Sequence, residues 1–295
     1  MAPSPTAERM DVPVVDAHAH VWPRWPYQPP VPDDATRGSV EHLLFEMDQN
    51  GVGRTLIVAA GIDRNPDNNE YVAAAVRAHP DRLVHAADVD CRWTPDYHRP
   101  GAADRLRAAV SRYGVRVVTH YLAKENDGWL VADEGRAFFR TAASLGLVLS
   151  VAAPPPWHED LRVVARENPA LPIVVHHLAN VNSWPGGVDE GLRLVLPGRD
   201  LPNLFVKVSG WYYGSDEPWE YPHAARLGVA RAFHDEWGPH RLVWASDHPV
   251  HRRALTYRQT LEIVRRNCTF IDPADLPGVL GGNLAALLPA RSSVA

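Results

Sequence analysis

Cysteine is nearly missing from this chain: Cys91 and Cys268 are the only two in 295 residues. So few thiols exclude a disulfide framework and fit a reducing compartment, and nothing supports a bond between the two. Also missing is any apolar run long enough to span a membrane. The first eleven residues lack the basic start and apolar stretch of a signal peptide. Neither charge sign dominates: the formal net charge is −5, and Lys and Arg are scattered rather than clustered. That argues against nucleic acid or an anionic membrane as the main partner. No Gly-x-Gly-x-x-Gly follows the first strand, so a dinucleotide cradle is unsupported. The expectation is a cytoplasmic protein whose oligomeric state the sequence leaves open.

Apolar residues make up 45% of the chain, enough for a sizeable core. They fall in a regular alternation. Short runs rich in Val, Leu and Ile start near Val14, Arg54, Leu83, Val115, Leu147, Ile173, Leu204 and Leu242. Helix-sized segments separate them, among them 39–50, 68–79, 102–113, 133–145, 157–167, 187–196 and 221–237, and helices at 257–266, 273–279 and 283–288 finish the chain. Ser39 reads as the N-cap of the first helix and Gly51 as its stop. Eight strands spaced this way are parallel βαβ units, the number that closes a (β/α)8 TIM barrel. One barrel domain is expected over 12–290, with a loose tail at 1–11 and a C-terminal tail at 291–295.

In such a barrel the chemistry sits at the C-terminal strand ends. The first strand ends Asp16-Ala17-His18-Ala19-His20, and period-two alternation puts Asp16, His18 and His20 on one face. With 15 His in the chain, an H-x-H arises by chance on the order of once, so the pair gains weight only from its company. The fourth strand places Arg116, Val118 and His120 on one face. The sixth ends His176-His177, which alternation points to opposite sides, so one enters the barrel and the other packs behind it. The seventh carries Lys207 and is followed by Trp211-Tyr212-Tyr213. The eighth ends Ala245-Ser246-Asp247-His248-Pro249. An Asp straight after an apolar strand is costly without a partner; beside imidazoles it becomes a metal ligand or a general base. The Pro-rich aromatic loop after His20, with Trp22 and Trp25, is placed to wall a pocket.

These motifs, taken in order, resemble the amidohydrolase superfamily. The resemblance rests on Asp16-Ala-His18-Ala-His20, Asp67-Asn68-Asn69-Glu70-Tyr71, His79-Pro80-Asp81-Arg82 and Gly114-Val115-Arg116. It continues in His177-Leu178, Val206-Lys207-Val208-Ser209-Gly210, Ala245-Ser246-Asp247-His248-Pro249 and Gly281-Gly282-Asn283. More narrowly the chain is similar to the amidohydrolase-related branch of TIM-barrel hydrolases, which includes lactonases and non-oxidative decarboxylases. The resemblance implies that His18 and His20 are the first-strand metal pair, that His177 binds or activates water, and that Asp247 is ligand and proton acceptor. Two features depart from the pattern. The fifth strand, Leu149-Ser150-Val151-Ala152-Ala153, ends without a His, for which only His158 in the next loop offers a substitute. The fourth strand has no lysine to bridge two metals.

Two readings of the cofactor follow: one divalent metal, zinc first, on His18, His20, His177 and Asp247, or none, with Asp247 as base and the histidines steadying an oxyanion. The leading expectation is a hydrolase that opens a lactone of a small carboxylated substrate. In it Arg116, His120 and Lys207 hold the acid group between walls of Trp22, Trp25, Trp211 and Tyr212. The rivals are a metal-dependent decarboxylase of an aromatic or muconate-type acid and an inactive small-molecule-binding barrel.

Overall fold

Short β-branched runs form the strands and the amphipathic stretches between them form the helices, at the places the alternation predicts. The computed structural model describes residues 13–288; the expected tails at 1–11 and 291–295 lie outside the described residues. The strands are β1 Val14–Ala19, β2 Val52–Val58, β3 Leu83–Asp88, β4 Val117–Tyr121, β5 Val148–Ala152, β6 Ile173–Val175, β7 Leu204–Val208 and β8 Leu242–Trp244. The helices are α1 Val40–Asn50, α2 Asn68–Ala78, α3 Ala102–Tyr113, α4 Asp133–Ser144, α5 His158–Glu167, α6 Val188–Val195, α7 Ala224–Trp237, α8 Tyr257–Glu262 and α9 Asn283–Leu287. No helix among them is long and apolar enough to cross a membrane.

Each strand pairs in parallel with its successor, in the order β1 to β8. The seam between β8 and β1 is closed by a parallel bridge from Ala19 to His248. Two further bonds cross it: His20 N–H donates to His248 O at 2.5 Å, and Asp247 N–H to His18 O at 2.8 Å. The chain is therefore a single-domain (β/α)8 TIM barrel, as expected. The closing seam also fastens the two strand ends that carry the first-strand histidines and Asp247.

Side chains split into two apolar layers. Val15, Leu56, Ala86, Val117, Val148, Val174 and Val243 fill the barrel. Leu43, Met47, Phe138, Phe139, Leu161 and Phe233 belong to the larger layer between strands and helices. Ser39 does cap α1, its Oγ accepting from His42 N–H, and Gly51 ends it at φ 67°.

Some boundaries move. β4 starts at Val117, which leaves Arg116 outside the strand. The helix expected from Tyr221 starts at Ala224, after His223 turns left-handed at φ 62°. The helix expected over 273–279 is replaced by a turn and a wide helical turn, Gly278–Gly282. Gly281 packs there against the start of β1, where a Cβ would run into the Pro13 carbonyl oxygen.

Candidate active site

Asp16 parts from the histidines it was expected to accompany. The β1–β2 register shifts between Asp16 and Ala19, and such an irregularity re-aims the side chains beyond it. The buried Asp16 carboxylate accepts from Ser246 N–H at 2.9 Å, Ser246 Oγ–H at 2.5 Å, His18 N–H at 3.1 Å and Tyr257 O–H at 2.8 Å. It thus braces the turn that presents Asp247 instead of entering the site. Four donors satisfy the carboxylate, yet full burial still holds its pKa above the ordinary value.

Past the shift, His18 and His20 face each other with their Nε2 atoms 2.9 Å apart. His20 Nδ1 lies 2.8 Å from the Val58 carbonyl oxygen, which can only accept. The His20 proton is therefore on Nδ1 and its Nε2 carries the lone pair. Trp22 stacks on the back of this ring at 4.6 Å. His18 Nδ1 lies 3.0 Å from the Lys207 Nζ, which also donates to Ser150 Oγ at 2.7 Å.

Both sixth-strand histidines turn inward, against the expectation that only one does. β6 is short, ending at Val175, and His177 to Asn180 then run left-handed with φ from 47° to 56°. The two-residue alternation stops where the strand stops. His176 reaches Ser150 Oγ at 2.7 Å and packs edge-on to His18. His177 packs on the other edge of His18, with Nδ1 2.9 Å from Ser209 Oγ. Four consecutive non-glycine residues in that region cost about 1–2 kcal/mol each, a strain typical of functional sites.

Asp247 completes the group. Its Oδ1 lies 3.7 Å from His18 Nε2, 3.9 Å from His20 Nε2 and 3.8 Å from His177 Nε2. Oδ2 accepts from the Tyr213 hydroxyl at 2.5 Å, whereas the buried Oδ1 has no hydrogen-bond partner. Burial pushes the carboxyl up to about 7, the charge of Asp16 adds to that, and Tyr213 and Lys207 oppose it. Burial lowers His20 to about 3. Burial and then the charge of Lys207 hold His18, His176 and His177 well below the ordinary imidazole value. Lys207 is itself held far below an ordinary lysine by burial, against the pull of Asp16 and Asp247.

This donor set suits a divalent metal. His20 Nε2 carries a lone pair and His18 Nε2 lies 2.9 Å from it, a spacing that one proton fills and that a divalent cation can take over. His18, His20 and Asp247 offer ligand atoms within 4.8 Å of one another, as do His18, His176 and His177. The unpartnered Oδ1 is the kind of group such an ion satisfies.

A cavity of about 400 Å³ opens above these residues, with His20, His177 and Asp247 in its lining, walled by Tyr27, Tyr121 and Tyr213. Arg92 and Lys124, on the loops after β3 and β4, also line it, and neither is paired with a carboxylate among the described residues. Sequence reasoning missed both, along with Tyr27, Tyr121 and Tyr213. Loops carry no periodicity, and the one available signal was their position directly after strand ends.

Most expected substrate contacts are corrected. Arg116 precedes β4, at the end of the barrel away from the cavity, and donates to the Leu145 carbonyl from an exposed position. His120 faces outward against Trp129, Phe138 and His98. His158 starts α5, buried, with Nε2 3.2 Å from the Ala153 carbonyl oxygen. Lys207 enters the barrel but lies under His18, out of the cavity wall. Trp22, Trp25 and Trp211 are buried in the body, and Tyr212 donates to the Val250 carbonyl. Trp22 backs the site only through His20.

Comparison with known proteins agrees with this geometry. A family model described as amidohydrolase matches residues 15–290. An L-fucono-1,5-lactonase of Burkholderia ambifaria is 27% identical over 284 residues, covering 91% of this chain and 93% of the relative. Among solved structures, an amidohydrolase from Burkholderia multivorans with bound zinc superimposes with a TM-score of 0.72 at 18% identity. A probable 2-pyrone-4,6-dicarboxylic acid hydrolase from Acinetobacter baumannii with citric acid bound gives 0.69 at 20%. Each alignment covers 93% of this chain and 98% of the other.

Proposed function

The chain belongs to the amidohydrolase family of hydrolases, and from that premise we propose that it opens the ring of a small carboxylated lactone. One observation carries the reading. Asp247 lines the cavity, and its Oδ1 is buried, without a hydrogen-bond partner and ringed by three imidazole Nε2 atoms within 4 Å. A carboxylate poised near 7 is matched to taking a proton from water at neutral pH. The related L-fucono-1,5-lactonase supports ring opening as the reaction.

In this account a water held between Asp247 and His177 attacks the lactone carbonyl while Asp247 accepts its proton. The His177 imidazole, in the cavity lining with Ser209 on its far nitrogen, faces the developing oxyanion, and His18, held by Lys207, packs against it. Zinc on His18, His20 and Asp247, with His177 beside it, would supply Lewis acidity toward carbonyl and water. Arg92 and Lys124 hold the substrate carboxylate in place of Arg116, and Tyr27 and Tyr121 flank the ring.

Proton release at constant pH tests the reading on a panel of carboxylated and neutral lactones, with CO₂ release from aromatic acids followed in parallel. Turnover of carboxylated lactones ahead of neutral ones is expected. CO₂ release without lactone opening would replace the reading with a decarboxylase.

A further inference from the structure

We propose that Tyr213 is the proton donor to the leaving ring oxygen, an inference that rests on the ring-opening reading above. Tyr213 lies in the cavity lining, and its hydroxyl donates to Asp247 Oδ2 at 2.5 Å. Asp247 therefore presents one oxygen to the three imidazoles and the other to a phenol. The chain builds this placement on purpose-made backbone. Tyr213 N–H donates to Gly210 O at 3.1 Å, closing a tight turn after β7. Gly210 sits at φ 72°, and a Cβ there would meet the Tyr213 ring at 2.9 Å and His177 Cβ at 3.0 Å. The ring thus folds back over the glycine, edge-on to His177 at 5.3 Å between centroids. Among the described residues, no other group in the cavity lining joins a transferable proton to a hydrogen bond with the base.

The proton accounting closes. Water oxygen bonds to the carbonyl carbon and its proton passes to Asp247 Oδ1. The ring C–O bond breaks, and the leaving oxygen takes the Tyr213 proton. The Asp247 carboxylic acid rotates and returns its proton to the Tyr213 oxygen. One water is consumed, one hydroxy acid is formed, and both side chains regain their starting states.

The test compares Tyr213→Phe with the unaltered chain on two carboxylated lactones. In 5-oxotetrahydrofuran-2-carboxylate the ring oxygen leaves as an alkoxide and needs a proton; in 2-pyrone-6-carboxylate it leaves as a stabilised enolate and needs little help. A donor role predicts a kcat loss of about 100-fold or more on the first and under about 10-fold on the second, the scale of general acid catalysis. Gly210→Ala, which displaces the ring, is expected to show the same split. Equal losses on both lactones, with the acid limb of the pH profile moved, would overturn the proposal and leave Tyr213 as a residue that positions Asp247. Hydrolysis of neither lactone by the unaltered chain would instead overturn the ring-opening reading, and the proposal with it.

Discussion

Lys207 Nζ and His18 Nδ1 stand 3.0 Å apart inside the barrel, so the imidazole at the centre of the histidine cluster is tethered from below by a buried amine. The same amine donates to Ser150 Oγ, which in turn contacts His176, and the row ties β1, β5, β6 and β7 together beneath the site.

Replacing Lys207 by Met keeps most of the volume and removes this tether. Ser150 and His18 then lose a buried partner, a cost of about 1–3 kcal/mol. A lower melting temperature and a kcat reduced about 10- to 100-fold, through a loosened His18, are expected. Unchanged kcat in the folded variant would show that His18 needs no support from below.

Arg92→Ala and Lys124→Ala should each raise KM about 10- to 100-fold toward a carboxylated lactone, the scale of one charge-assisted hydrogen bond, and leave kcat near its starting value. Arg116→Ala serves as the control, since that side chain is exposed and away from the cavity. A KM effect from Arg116 and none from Arg92 or Lys124 would reverse the assignment.

Much of this was legible in the sequence, and the misses share a cause. Eight apolar runs separated by helix-sized segments specify the barrel, and reading the strand ends isolates His18, His20, His177 and Asp247. Alternation groups Arg116 with Val118 and His120 correctly, but it does not say which face turns inward. In β4 Val117 and Tyr121 belong to the cluster that fills the barrel, and Tyr121 is the one that reaches the cavity. The rule also fails where strands bend or end, at Asp16 beside the register shift and at His176-His177 before the left-handed run. Tyr213 differs from its neighbour Tyr212 only through a turn set by Gly210, which no period encodes.

Asp247 makes both activity and stability depend on pH. As the base it must be ionised, so kcat/KM should rise with pH and level off above about 7. Its folded pKa lies above the unfolded value of 3.8, so folding takes up a proton between those values. The stability this gives is fully present below 3.8 and lost as pH rises through about 7. The buried neutral histidines contribute with the opposite sign, so the test is a difference: in chelator-treated protein the melting temperature of the unaltered chain minus that of Asp247→Asn should fall as pH rises across that window. A difference that rises with pH would contradict the raised carboxyl.

Metal retention is checked apart from turnover. Elemental mass spectrometry on protein purified without added metal or chelator should find close to one zinc per chain, and His20→Ala should lose it. Thermal melting should likewise rise with added zinc in the chelated chain and not in the variant. Metal retained equally by His20→Ala would place it elsewhere.

The most direct measurement of the central claim is proton release from a carboxylated lactone by Asp247→Asn beside the unaltered chain, with circular dichroism to confirm equal folding. The account predicts a kcat loss of about 100- to 10,000-fold, the range for removing a general base, with the fold intact. Turnover near that of the unaltered chain would contradict it.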